Sequence, residues 1–254
     1  MLSWCPDASR LTVAPSLTVA TSLGVLGLNA AIGDDRLERA NADAAYVLVQ
    51  GGHLWVWDRP SARAELLVCR PIYTLPSGMQ VDDCWSALWR IQFWDDRTDA
   101  SFTCQWEPGA RWTDWDSAHG EGQVGWSYDD GSTVVSVVTE DEGSLGHRAA
   151  GDDWLPRRLL PRFDYDAPEF AGDLFEPDEH HAGVSVRFPD LRAGERLQVQ
   201  FSVAWGTLSQ GALPTWFAVG RSPKEILAGA GCTYTLTKML DDSRMWDISS
   251  RLLF

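Results

Sequence analysis

The sequence predicts an all-β chain: a large antiparallel β-sandwich with one or two short helices, a barrel-like closure of the same strands being its variant. Three observations predict it. Residues 195–205 alternate strictly, with Leu197, Val199, Phe201, Val203 and Trp205 set against Arg196, Gln198, Gln200, Ser202 and Ala204, which is the period of a half-buried strand. Two pairs of turn formers, Gly51-Gly52 and Asp130-Gly131, divide β-rich runs in the manner of hairpins. Helical signal is sparse, and many short strands separated by turns describe a sandwich or barrel rather than an alternating βαβ sheet.

Taken along the chain, residues 11–33 carry no charge but include Thr12, Pro15, Ser16, Thr18, Thr21, Ser22 and Asn29, with only Arg10 as a preceding cation. That pattern argues against a membrane span or a signal segment. Residues 34–45, rich in Ala, Arg and Glu, are expected to be helical. Residues 46–50 and 53–57 form a hairpin whose two-residue turn uses the positive φ that glycine supplies. Strands are expected at 65–69, 88–94 and 101–106, in a second hairpin of 123–128 with 132–139, and at 184–188, 215–219 and 233–237. Ser222-Pro223-Lys224-Glu225 reads as a capping box with Pro at the first helical position, so a short helix runs to about residue 228.

With 254 residues and neither a repeat nor a low-complexity linker, the chain is read as one β domain over 1–254. Its 44% hydrophobic and 22% charged residues exclude a disordered, collagenous or coiled-coil protein. A net charge of −15 argues against nucleic acid, which needs a basic stripe to displace counterions, and against anionic membrane surfaces. Lys224 and Lys238 are the only lysines among 21 cations, a bias attributable to coding. Cys5, Cys69, Cys84, Cys104 and Cys232 are odd in number and form no CxxC, so the expectation is reduced thiols and a cytoplasmic protein.

The unusual chemistry is central. Residues 82–179 hold 16 Asp and 7 Glu against 7 Arg, a net charge of −16, together with eight of the fourteen tryptophans. A polyhydroxylated ligand uses this combination, since its ring C–H face stacks on an indole while carboxylates accept its hydroxyl protons. The densest stretch runs from Trp112 to Gln123. Gly120 and Gly122 mark it as a loop, where binding groups preferentially lie. Trp112, Trp115 and Trp126 are the candidate stacking surfaces. Asp114, Asp116, His119 and Glu121 are the candidate catalytic groups, because converging carboxylates separate one another's pKa values and His119 titrates near neutrality.

A divalent cation is a second expectation. Asp114, Asp116 and Glu121 do not fit the spacing of an EF-hand. Glu179, His180 and His181, in the cluster Glu176-Pro177-Asp178-Glu179-His180-His181, are the candidate metal ligands, with at most one of two adjacent imidazoles facing an ion on extended chain. Asp95-Asp96-Arg97-Thr98-Asp99 resembles the aspartate-rich motif of isoprenoid synthases, which implies Mg²⁺ and a diphosphate, although in that family the motif lies on a helix of an all-α bundle. The nucleophile elbow, phosphate-binding glycine loops and H-E-x-x-H are absent from the sequence.

These features favour a protein that binds or processes a sugar through an acidic, Trp-rich cleft, by proton transfer if it is an enzyme. Two other classes stand beside it. One is a noncatalytic subunit docking an Arg-rich protein partner or a second copy of itself. The other is an enzyme that holds an apolar or cationic intermediate in an aromatic pocket.

Overall fold

The structure, a computed structural model, describes residues 8–96, 99–120, 122–141, 143–145, 154–159 and 182–232. Two antiparallel sheets face one another without closing into a barrel. The larger runs, in spatial order, β1 (Ala8–Arg10), β5 (Ala44–Leu48), β6 (His53–Asp58), β7 (Ala62–Cys69), β8 (Asp83–Phe93), β14 (Arg196–Thr207), β12 (Thr133–Glu140), β11 (Gln123–Asp129) and β10 (Asp114–Gly120). The smaller runs β13 (Gly183–Pro189), β9 (Asp99–Trp106), β3 (Val25–Ile32) and β2 (Thr18–Ala20), with β4 (Asp35–Leu37) paired to β3. The sandwich predicted from periodicity is therefore the observed fold.

The core lies between the sheets. Strand alternation sends Trp89, Ile91 and Phe93 of β8 and Leu197, Val199, Phe201 and Val203 of β14 inward, against Leu26, Leu28, Phe102 and Phe188 of the smaller sheet. Rings contact in series from Trp57 to Trp89 (centroids 5.5 Å apart), to Phe102 (6.0 Å) and to Phe188 (6.4 Å), linking the two layers. Such aromatic pairs add about 0.5–1.5 kcal/mol each beyond the burial of their area.

Both predicted hairpins form. In the first, Gly51 and Gly52 have φ of +86° and +107°, but the strands end at Leu48 and begin at His53, so the connection is four residues rather than two. In the second, Gly131 has φ +86°, and the Asp130 carboxylate accepts hydrogen bonds from the Thr133 and Ser132 amides and the Ser132 hydroxyl.

Four expectations need correction. Residues 34–45 are not a helix: they hold β4, a 3-10 turn at Arg39–Asn41 and the start of β5. Pairing with β3 and β6 and burial of Leu37 and Ala45 in the core override a modest local preference for helix. Residues 215–219 are not a strand, because α1 (Leu213–Val219) begins with Pro214 in its first turn and buries Pro214, Thr215, Ala218 and Val219 as one helical stripe against the larger sheet. β14 is not half-buried: Gln198 is 0% and Ser202 1% exposed, since α1 and the segment carrying Trp154 cover the outer face of the sheet. Cys232 is disulfide-bonded, against the expectation of five reduced thiols, while Cys69, Cys84 and Cys104 are free and buried.

The predicted helix after Ser222 is α2 (Pro223–Gly229), with its capping box in place. It seals the outer face of β5 to β8 through Ile226 and Leu227, which meet Leu54, Val56, Leu67 and Leu88. The uncharged stretch 11–33 supplies β2 and β3, and among the described residues no helix is long and apolar enough to cross a membrane. Residues 233–237, expected as a strand, lie outside the described residues.

Candidate functional site

The stretch that the sequence marks as a loop is an edge strand. β10 pairs with β11 along its whole length, Asp114 opposite Asp129 and Gly120 opposite Gln123, and Gly122 at φ +82° closes the hairpin. β-favouring side chains, Trp115 on β10 and Val124, Trp126 and Tyr128 on β11, go with the pairing.

Register decides what can meet. Trp115 stands opposite Tyr128 and Ser117 opposite Trp126. Trp126 and Tyr128 belong to the inward face, where Tyr128 is fully buried. Trp115 meets Trp126 edge to face, with centroids 5.0 Å apart and planes at 80°. Trp112 and Trp106 both reach Tyr128, each at 5.3 Å. The rings form two groups on the inward side of the terminal hairpin: Trp115 on Trp126, and Tyr128 between Trp112, just before β10, and Trp106 of β9 in the smaller sheet. At the surface, Trp115 is 38% exposed. Of the eight central tryptophans it is the only exposed one, Trp89 and Trp154 being buried and the rest intermediate.

Asp114 and Asp116 are on the other side. They alternate with Trp115 and stand opposite Asp129 and Ser127, so they share the outward face of the hairpin. Both are exposed, and the Asp114 carboxylate accepts the Trp115 amide N–H at 2.9 Å. The strand backbone therefore separates these two carboxylates from the indoles that the sequence groups with them. His119 lies in β10 opposite Val124, and its side chain is outside what the structure describes. Glu121, Glu179, His180 and His181 lie outside the described residues. Among the described residues no group of three or more His, Cys, Asp or Glu is placed to hold a metal ion. Asp95 and Asp96 follow β8 and Asp99 opens β9, so none of the three aspartates lies on a helix. Asp99 pairs with Arg187, and Asp96 accepts the Ala193 amide.

Another acid–tryptophan pair has a structural role. Arg70 forks Asp83 at 2.7 and 2.9 Å while its guanidinium lies 4.6 Å from the Trp85 ring centre, and the Trp85 indole donates to Asp83 at 3.0 Å. Burial alone would raise the Asp83 pKa, but the bonds from Arg70, Trp85 and the Cys84 amide outweigh it and hold the carboxyl below its usual range.

A buried polar layer escapes the sequence reading altogether. On the outer face of the larger sheet Glu65 of β7 stands opposite Arg90 of β8, and Arg90 opposite Gln198 of β14. All three are 0% exposed. Arg63 donates to Glu65 at 3.1 Å, and Arg196 to Gln92 at 2.6 Å. Alternating charged residues on a strand normally signal a solvated face, so only the covering elements distinguish this layer.

No protein-family model matches the chain, and no curated protein matches it in sequence. Among solved structures, a putative kojibiose phosphorylase from the human microbiome is similar over 88% of this chain at 9% identity and a TM-score of 0.44. The chain spans only 30% of that protein's length, and a likeness of this extent carries no functional weight.

Proposed function

We propose that the terminal hairpin is a carbohydrate-binding surface, with Trp115 as the stacking platform and Trp126 as its support. The observation that carries the reading is the edge-to-face contact of the exposed Trp115 on Trp126. It holds one indole rigidly at the surface, and a preorganised aromatic face offers area to the C–H side of a sugar ring at little entropic cost. Binding, rather than acid/base turnover by Asp114 and Asp116, is what this arrangement supports, because those carboxylates lie across the strand from the platform.

The test is titration with neutral disaccharides and short oligosaccharides, read by tryptophan fluorescence and by thermal unfolding at two salt concentrations. A ligand at about 100 times its Kd adds about 2.7 kcal/mol to stability. Saturable, salt-insensitive binding that Trp115→Ala weakens by about tenfold or more, and that Asp116→Asn leaves unchanged, supports the reading. Absence of any saccharide effect, or affinity untouched in Trp115→Ala, overturns it.

One observation favours a second reading. β10 ends the larger sheet, and no described strand pairs its outer side, while Asp114 and Asp116 project from its outward face. An Arg-rich protein partner could add a strand there and meet these acids. Such docking weakens steeply as salt rises, which separates it from the sugar reading.

A further inference from the structure

On the outer face of the same sheet, where β11 begins and β12 ends beside Gln200 of β14 and the turn between α1 and α2, lies a cavity of about 570 Å³ lined by Gln123, Glu140, Gln200, Gly220, Arg221 and neighbouring residues. We infer that this cavity is a binding site for a small, neutral, polyhydroxylated molecule. The site is distinct from the Trp115 platform and does not depend on that reading.

The argument rests on unmet hydrogen bonds. Gln123 is 5% and Gln200 6% exposed. Neither the carbonyl oxygen nor the amide nitrogen of Gln123 has a partner, nor does the carbonyl oxygen of Gln200 or Nε of Arg221. Buried polar atoms are paired in the great majority of cases, so unpaired ones gathered at one cavity mark something that the cavity holds. Several other groups of the wall are fixed. The Gln200 amide donates to the Arg221 carbonyl at 2.6 Å, and Arg221 donates to the Phe217 carbonyl at 2.7 Å. Glu225 is taken up by the Ser222 amide and hydroxyl, and Asp141 by the Ser144 amide. A Cβ at Gly220 would stand 2.6 Å from the Gln123 amide nitrogen, so Gly220→Ala displaces that side chain from the wall.

The unmet atoms also select the ligand. They comprise two acceptors, the carbonyls of Gln123 and Gln200, and two donors, the Gln123 amide and Arg221 Nε. An anion satisfies only the donors and a cation only the acceptors. A hydroxyl supplies one donor and two acceptor sites, so adjacent hydroxyl groups satisfy both sets at once. The volume falls within the range of about 300–1,000 Å³ usual for small-molecule sites.

The experiment is calorimetric and saturation-transfer NMR titration of the full chain with D-glucose, D-galactose and myo-inositol, with sodium sulfate and methylammonium chloride as charged controls. The variants are Gln123→Leu, Gln123→Glu, Gly220→Ala and Trp115→Ala, each checked for fold by circular dichroism. The expected result is binding of at least one neutral probe that any folded Gln123 or Gly220 variant weakens by about tenfold or more and that Trp115→Ala leaves intact. Gln123→Glu keeps the side chain's size if the leucine variant fails to fold. The inference is overturned if no neutral probe binds, which leaves ordered water as the occupant, or if binding survives these variants. Sulfate or methylammonium binding that depends on Gln123 overturns the neutral ligand class. Sugar binding lost only in Trp115→Ala overturns this site while leaving the hairpin reading in place.

Discussion

The guanidinium of Arg90 lies 4.0 Å from the centre of the Trp154 ring, with both side chains at 0% exposure. Arg90 stands directly opposite Glu65 across β7 and β8, so the charge is buried between a carboxylate and an aromatic lid. The Glu65 carboxylate also accepts from Arg63, so it keeps a partner when Arg90 is removed, and what is lost is the stack on Trp154 and the space the side chain fills. Arg90→Ala is expected to cost about 2–5 kcal/mol. Arg90→Lys, which loses the planar stack on Trp154 but keeps the charge, should cost less. Urea denaturation checks both, and equal losses in the two variants would argue that the positive charge of Arg90 adds nothing to the packing.

The Arg70–Asp83 fork gives an acid-side prediction. Because the folded pKa of Asp83 is depressed, its contribution is present above its unfolded pKa of about 3.9 and is lost as pH falls through the folded value. Arg70 is largely exposed, so the effect is modest. Asp83→Asn should therefore lower stability at neutral pH and flatten its fall below about pH 4. An unchanged acid limb in Asp83→Asn would remove this carboxylate from the acid sensitivity.

At the alkaline end the buried thiols act. Burial pushes Cys69, Cys84 and Cys104 up to about 12. Their folded pKa exceeds the unfolded value, so their contribution is full below about pH 8.5 and is lost as pH rises toward the folded value. The thiolate is the reactive form. Iodoacetamide at about pH 8.5 should leave all three unmodified in the native chain and label all three in guanidinium, read by peptide mass. Labelling of any of them at the rate of a free cysteine would contradict the packing.

Periodicity reads only what a strand does with its own neighbours. The alternation at 195–205 is visible in the sequence because side chains repeat every two residues, and β14 follows it. What covers the polar side lies outside the strand's own period: the segment carrying Trp154 bonds Gln198, and α1 packs on the same face. The same holds for the hairpin. Composition brings Asp114, Asp116, Trp112 and Trp115 together within five residues, but strand geometry sends adjacent residues to opposite faces, so proximity in sequence becomes separation in space. Gln123 and Gln200 are 77 positions apart, and nothing local to either marks them as two walls of one cavity. Residues 215–219 show the converse, since β-branched and aromatic types suggest a strand until Pro214 and the buried stripe of α1 are seen together.

The capping box, which is legible in the sequence, makes a prediction of its own. The Ser222 hydroxyl accepts the Glu225 amide at 3.4 Å, and the Glu225 carboxylate accepts the Ser222 amide at 2.8 Å, so each side chain satisfies a donor that the helix leaves open. Because α2 is only seven residues long, it cannot hold itself together, and its cap must act by keeping Ile226 and Leu227 seated on the sheet. Ser222→Ala should cost about 1 kcal/mol. Glu225→Ala should cost a comparable amount, and the double variant less than the sum of the two, since removing either residue already breaks the reciprocal pair. Guanidinium denaturation of all four chains measures the coupling, and strict additivity would mean that the two bonds stabilise α2 independently.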